Sequence, residues 1–283
     1  IPKDFARPGK VPAAQHDRLL AAFNGGFMAE HGHYGMLVDG VTLIKPRDQS
    51  CTVVGYADGS VEIATWKALA HASERMLWAR QTPACMYENN VMHLGLRFPE
   101  TRLWGATLDG DTVIRRSAIG LDESRRILFV GIGNNMTARA LGEGMHHAGA
   151  VDVAQLDVNW SYPKFLIYGA GKEGLPEAHA LMDGFEYTPG DYVTKSSLRD
   201  FFYLTRRKLP RSSHSPAQST ERPATSATPE AAGAGAPAGS SGDADANRAN
   251  ADRDNAAVSV PRDDTPKPEG AASVVSACPN CPK

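Results

Sequence analysis

The sequence predicts an α+β protein: a mostly antiparallel or mixed β-sheet built from hairpins, with a few packed helices. Three observations carry this. Three Asp-Gly pairs sit between runs of strand-forming residues. Two stretches between them have helical character. All four Trp, eight Tyr and nine Phe of the 283-residue chain lie before Leu209, so the capacity to form a core is confined to the first part of the chain.

The elements follow in order. An apolar strand runs into Phe23-Asn24-Gly25-Gly26-Phe27. Asp39-Gly40 joins Met36-Leu37-Val38 to Val41-Thr42-Leu43-Ile44, Asp58-Gly59 joins residues 51–57 to 60–66, and Asp109-Gly110 joins 103–108 to 112–121. Asp-Gly between β-formers signals a tight hairpin, because both central residues must take positive φ. Residues 65–80 read as a helix. A further strand covers 126–131, reached through Asp122-Glu123-Ser124. Asn134-Asn135-Met136-Thr137 opens a second helix over 137–147, with Leu141, Met145 and Ala148 on one face. Thr137 is its N-cap and Gly149 its C′ residue. Strands over 152–157 and 164–168 complete the set.

Composition divides the chain. Residues 1–11 read as a linker and 12–208 as one folded domain, long enough for a sizeable core. From Pro210 onward there is no Leu, Ile, Met, Phe, Trp or Tyr, and the stretch is rich in Ala, Pro, Ser, Gly and Asp. Such a segment cannot bury enough apolar surface to offset chain entropy, so 209–283 reads as a disordered tail. The net charge is −2, without a basic stripe bearing aromatics, which argues against nucleic acid. No apolar run approaches the roughly 18 residues that span a bilayer. Cys51 and Cys85 sit in the domain. Cys278 and Cys281 form a C-P-N-C near the terminus, with neither the further ligands of a zinc site nor the folded context of a redox motif.

Four segments can carry chemistry. In Asn24-Gly25-Gly26 the glycines let the backbone turn sharply and approach a ligand, while Asn24 both donates and accepts. The competing reading is a structural turn. In Glu30-His31-Gly32-His33, histidines at i, i+2 share a face if extended, suiting proton transfer, phosphate contact or a divalent metal. The competing reading is a solvated loop. Arg115 and Arg116 face opposite sides of a strand, so one is solvated and the other points inward toward an anion, either phosphate or an interior carboxylate. In Leu156-Asp157-Val158-Asn159-Trp160-Ser161-Tyr162 a polar, aromatic turn follows a buried strand. Asp157 is the best catalytic carboxylate in the chain, Asn159 and Ser161 can position a substrate, and Trp160 or Tyr162 can stack on a sugar. A capped turn with a packing Trp competes.

The order of these motifs resembles the phosphodiester glycosidase family, over roughly residues 19–168. Phe23-Asn24-Gly25-Gly26-Phe27 matches its Asn-Gly-Gly-Phe. Arg116 to Gly120 matches its Arg-Thr-Ala-Ile-Gly, with Ser117 in the Thr place. Leu156-Asp157 matches the start of its Leu-Asp-Gly-Gly-Gly-Ser. Here the three glycines are Val158-Asn159-Trp160, while Ser161 stands in the Ser place, so the chain looks like a divergent member lacking the Gly-Gly-Gly loop.

The resemblance implies an extracytoplasmic hydrolase of a sugar-1-phosphate diester or related glycan phosphodiester, releasing the sugar. Asp157, Arg116 and His31 would be catalytic, Arg116 holding phosphate. Asn24, Gly25, Gly26, His33, Asn159 and Ser161 would bind substrate. The sequence requires no cofactor, and a divalent metal on His31 and His33 is compatible with their spacing. The expected partner is a glycan or sugar phosphate. The alternative is a non-catalytic cell-surface glycan-binding module of the same fold.

Overall fold

The computed structural model describes residues 5–105, 109, 111–207 and 272–277. Residues 1–4, most of the expected tail, and Cys278 and Cys281 lie outside the described residues. Val11, placed in the linker on composition, is buried and donates its N–H to the carbonyl of Tyr192 at 2.8 Å, so the packed structure begins before residue 12.

The first strand, β1 (Leu19–Asn24), runs directly into the tandem glycines. Strands β2 (Met36–Val38) and β3 (Val41–Ile44) form the Asp39-Gly40 hairpin, with φ of 50° and 75° at its two central residues. β4 (Cys51–Tyr56) and β5 (Val61–Thr65) form the second hairpin. There only Gly59 takes positive φ, and the Asp58 carboxylate accepts from the Ser60 N–H at 2.8 Å, closing the turn from its side chain.

The helix expected over 65–80 is half right. A short helix, α1 (Trp66–Leu69), continues as a 3₁₀ segment, Ala70–Arg75, and the chain then becomes β6 (Met76–Thr82). All of β6 but Leu77 is buried, its polar residues Arg80, Gln81 and Thr82 included, so no apolar–polar period of two shows in its sequence. Short β7 (Tyr87–Glu88) and β8 (Val91–Met92) follow.

The third expected hairpin is not seen among the described residues. Leu103-Trp104-Gly105 is not strand, and 106–108 and Gly110 lie outside the described residues. β9 (Ile114–Leu121) pairs instead with β10 (Leu128–Met136) and β11 (Asp152–Gln155). β10 is longer than expected and takes in Asn134 and Asn135, which therefore do not open a helix. That helix is α2 (Ala138–His147). Thr137 caps it by accepting the Ala140 N–H at 3.0 Å, and Gly149 follows its end at φ 112°.

β12 (Phe165–Ala170), β13 (Pro176–Ala180) and β14 (Phe201–Arg206) complete the domain. A last strand, β15 (Ala272–Ala277), pairs antiparallel along β14. These six residues fall within the stretch that the composition reads as a tail. Pairing at a sheet edge rests on backbone hydrogen bonds and needs no large apolar side chain, and Ser273-Val274-Val275-Ser276 centres on two β-branched residues.

The strands make three five-stranded sheets, ordered β13-β12-β1-β14-β15, β10-β9-β11-β7-β8 and β3-β2-β6-β4-β5. Every strand pairing is antiparallel, and the fold class is α+β. One core joins them. Phe23 and Phe202 come from the first sheet, Ile119 and Ala154 from the second, and Val53 and Trp78 from the third. Phe23 stacks between Phe165 and Phe202, at centroid distances of 5.6 and 5.4 Å. Because the three sheets share this core, the end of β1, the exit of β11 and the entry to β14 converge at one place.

A disulfide joins Cys51 to Cys85, spanning 34 positions and tying β4 to the segment after β6. In the chain-entropy account a loop of that length stabilises the fold by about 3–4 kcal/mol. The Cys51→Ala/Cys85→Ala double variant is expected to lose about that much in urea denaturation. An unchanged midpoint and slope would show that the cross-link contributes nothing.

Candidate active site

The site is built where those strand ends meet. The Gly25 N–H donates to the Asp200 carbonyl at 3.0 Å, and the Asp157 N–H donates to the Gly25 carbonyl at 3.0 Å. The Gly26 N–H donates to the Asp200 carboxylate at 3.0 Å. Side chains explain why both positions are glycine. A Cβ on Gly25 would lie 2.1 Å from Asp200 Oδ2, and one on Gly26 would lie 2.8 Å from the guanidinium carbon of Arg80. The tandem glycines thus admit a buried ion pair, Arg80 Nε to Asp200 Oδ2 at 2.8 Å, against the backbone of the turn. Arg80 also donates to the carbonyls of Phe27 and Gln81.

Asn24 is buried beside this pair. Its amide donates to Ser117 Oγ at 2.9 Å and, more weakly, to the Asp157 carbonyl at 3.4 Å, and its oxygen accepts the Lys164 N–H at 3.3 Å. Asn24, Gly25 and Gly26 therefore fix the geometry beneath Asp157. Ser117 Oγ also reaches the Asp157 carbonyl, at 3.3 Å.

The Asp157 side chain is itself buried, yet it lines a cleft of about 850 Å³. Its Oδ2 accepts from Arg199 at 2.5 Å and its Oδ1 from the Asn159 N–H at 3.0 Å. The Arg199 guanidinium stacks on the Tyr162 ring, 3.7 Å from its centroid, which holds the cation in place. Burial raises the Asp157 pKa. The Asn159 hydrogen bond and then Arg199 oppose that rise, while the nearby Asp200 adds to it. A partly desolvated carboxylate with one fixed cation, facing a cleft, has the chemistry for acid–base or electrostatic work.

Around the cleft stand Phe27, Glu30, His31, Tyr34, Arg102 and Asn159. His31 and Asn159 line it together with Asp157. His33 does not line that cleft. The segment is a 3₁₀ turn, Ala29–His31, followed by Gly32 at φ 131° and His33 at φ 49°, so it is not extended and the two imidazoles do not share a strand face. Among the described residues no group of three or more His, Cys, Asp or Glu is placed to hold a metal. Ser161 lines a different, smaller cavity with Tyr162, Lys164 and Asp191.

Arg116 lies beneath the cleft rather than in it. Its guanidinium donates to the carbonyls of Trp104 (2.7 Å), Met136 (3.1 Å) and Thr112 (3.2 Å) and to Gln155 Oε1 (2.9 Å). No carboxylate is among these partners, and burial pulls its pKa down to about 10. Its donors are directed at these protein oxygens. Arg115 is buried too, contrary to the expectation that one of the pair is solvated. It donates to Asn134 Oδ1, the Trp160 carbonyl and the Gly184 carbonyl at 2.7–2.8 Å.

Sequence reasoning missed Arg80, Arg199 and Asp200. Arg80 sits in a strand that reads as helix, which concealed its inward direction. Arg199-Asp200 directly precedes the apolar run Phe201-Phe202-Tyr203, and a charged pair at the mouth of a buried strand was the available signal. The class this structure defines is an α+β protein of antiparallel sheets with a carboxylate-floored cleft where the sheets meet. No protein-family profile matches the chain, and no curated protein matches it. Among solved structures, it is similar to the catalytic domain of zebrafish N-acetylglucosamine-1-phosphodiester α-N-acetylglucosaminidase auto-inhibited by its pro-peptide. The TM-score is 0.41 at 13% identity, over 65% of this chain and 64% of that one.

Proposed function

We propose that the protein is an extracytoplasmic hydrolase that cleaves a sugar-1-phosphate diester or related glycan phosphodiester and releases the sugar. The observation that carries it is the Asp157 carboxylate, buried at a cleft, paired with Arg199 and held by the Asn-Gly-Gly turn. The order of the Asn-Gly-Gly-Phe, Arg-Ser-Ala-Ile-Gly and Leu-Asp motifs supports the same reading. The Cys51–Cys85 disulfide supports an oxidising compartment. Among the described residues no helix is long and apolar enough to cross a membrane.

In this reaction water adds to the anomeric carbon, the bond from that carbon to the phosphate oxygen breaks, and a phosphomonoester leaves. Phosphate is a good leaving group, so placement and charge stabilisation matter more than acid catalysis. Asp157 stabilises the cationic sugar carbon or takes the proton of the attacking water. Arg102, exposed in the cleft lining, replaces Arg116 as the cation for phosphate. His31 and Tyr34 contact the phosphate or the sugar hydroxyls, and Asn159 orients the ring.

The test is release of free sugar from a panel of sugar-1-phosphate diesters. The second reading, a glycan-binding module, is favoured by one observation, the exposure of Trp160 (57%), and predicts binding with no sugar released.

The pH profile follows from Asp157. Burial disfavours its charged form, so the carboxyl stays protonated to higher pH than an ordinary aspartate. Activity that needs the carboxylate should fall as pH drops through that raised pKa. The acid limb of kcat/KM is expected above the usual aspartate range of about 3.9. A flat profile down to pH 4 would contradict the assignment.

A further inference from the structure

The Asp157–Tyr162 loop carries two aromatic rings, and an arginine stacks on each. Tyr162 lies on Arg199, which serves Asp157. Trp160 lies on Arg115, whose guanidinium carbon is 3.9 Å from the ring centroid and 4.3 Å from that of Phe185. No step of the proposed reaction uses this second stack.

Its construction is costly for a mere surface residue. Arg115 is buried at 2% exposure and stands between two rings, with donors directed at Asn134, the Trp160 carbonyl and the Gly184 carbonyl. The buried cation thus holds both the backbone and the ring of Trp160. Yet Trp160 remains 57% exposed, so much of its indole faces water. Exposed apolar side chains are common singly and need no explanation. A large aromatic ring fixed from below by a buried, hydrogen-bonded cation is different, because a fixed ring loses little entropy when a ligand lands on it. The chain position is also informative: Trp160 directly follows Asn159, which lines the Asp157 cleft.

We propose that Trp160 is a stacking platform for a second pyranose ring, next to the sugar bound at Asp157, making the site a reader of oligosaccharide rather than monosaccharide. A pyranose presents an apolar C–H face to the indole and keeps its hydroxyls for water and for polar neighbours such as Asn159 and Ser161. Arg115 is the positioning residue that holds the ring flat. This deepens the glycan reading of the same site and rests on it.

Fluorescence tests the platform independently of turnover. The chain has four Trp; Trp78 and Trp104 are 2% exposed and Trp66 is partly buried, so Trp160 dominates the fraction that iodide can quench. The full chain is titrated with gluco-, manno- and N-acetylglucosamine mono- and trisaccharides, and with AMP as a flat non-sugar. A trisaccharide should protect Trp160 from iodide, bind at least about 10-fold more tightly than its monosaccharide, and lose that advantage in Trp160→Ala. Trp160→Phe should keep part of it.

Equal affinity for mono- and trisaccharide, an advantage that survives Trp160→Ala, or protection by AMP alone would overturn the platform. Trisaccharide binding without cleavage of any diester would instead overturn the hydrolase reading and leave the platform standing.

Discussion

Asp157→Asn is expected to lower kcat by about 100-fold or more while changing ligand affinity much less, as for other removed electrostatic stabilisers. A sugar departing from phosphate gathers positive charge at its anomeric carbon in the transition state. A carboxylate beside that carbon stabilises the transition state more than the ground state, and only such differential interactions raise the rate. The Asn isostere keeps the shape and the bond from the Asn159 N–H but removes the charge that faces the substrate and Arg199. The measurement is active-fraction kinetics beside a melting curve. If Asp157 merely caps the turn, the variant melts earlier while its folded fraction keeps near-normal turnover, and the catalytic assignment fails.

The largest structural effect is expected from breaking the Arg80–Asp200 pair. The two side chains are 1% and 7% exposed, so removing one partner leaves a charge in a dry interior. Asp200→Ala should cost about 3–5 kcal/mol, a large share of the stability of a typical domain. It strands the Arg80 guanidinium and also removes the acceptor of the Gly26 N–H. Arg80→Met with Asp200→Leu should cost much less than the sum of the single changes, because no lone charge remains. Urea denaturation of the wild type, Asp200→Ala, Arg80→Met, Asp200→Leu and the double variant measures this. Single-variant losses under about 1 kcal/mol would show that the pair does not hold the turn.

That pair also marks the limit of what the sequence revealed. The hairpins at Asp39-Gly40 and Asp58-Gly59 were legible because turn chemistry is local. So was α2, with its Thr137 cap and trailing Gly149. Asp157, Asn24 and the tandem glycines were picked out by residue type beside strand ends, and the structure brings them together. What was not legible depends on long-range packing. β6 is buried on both faces and shows no alternation, so it reads as the end of a helix. Arg116 has the chemistry of a phosphate ligand, but only the surrounding carbonyls of Trp104, Thr112 and Met136 reveal that its donors are engaged within the protein. Arg199 lies 42 positions from Asp157 in sequence, and nothing local links them. The edge strand β15 is held by backbone pairing, to which composition is blind.

Attack at carbon and attack at phosphorus differ in which bond breaks. Hydrolysis of a sugar-1-phosphate diester in ¹⁸O-labelled water reads this directly by mass spectrometry of both products. Attack at the anomeric carbon, assisted by Asp157, places the label in the released sugar and leaves the phosphomonoester unlabelled. Label in the phosphate product would mean attack at phosphorus and would contradict the account.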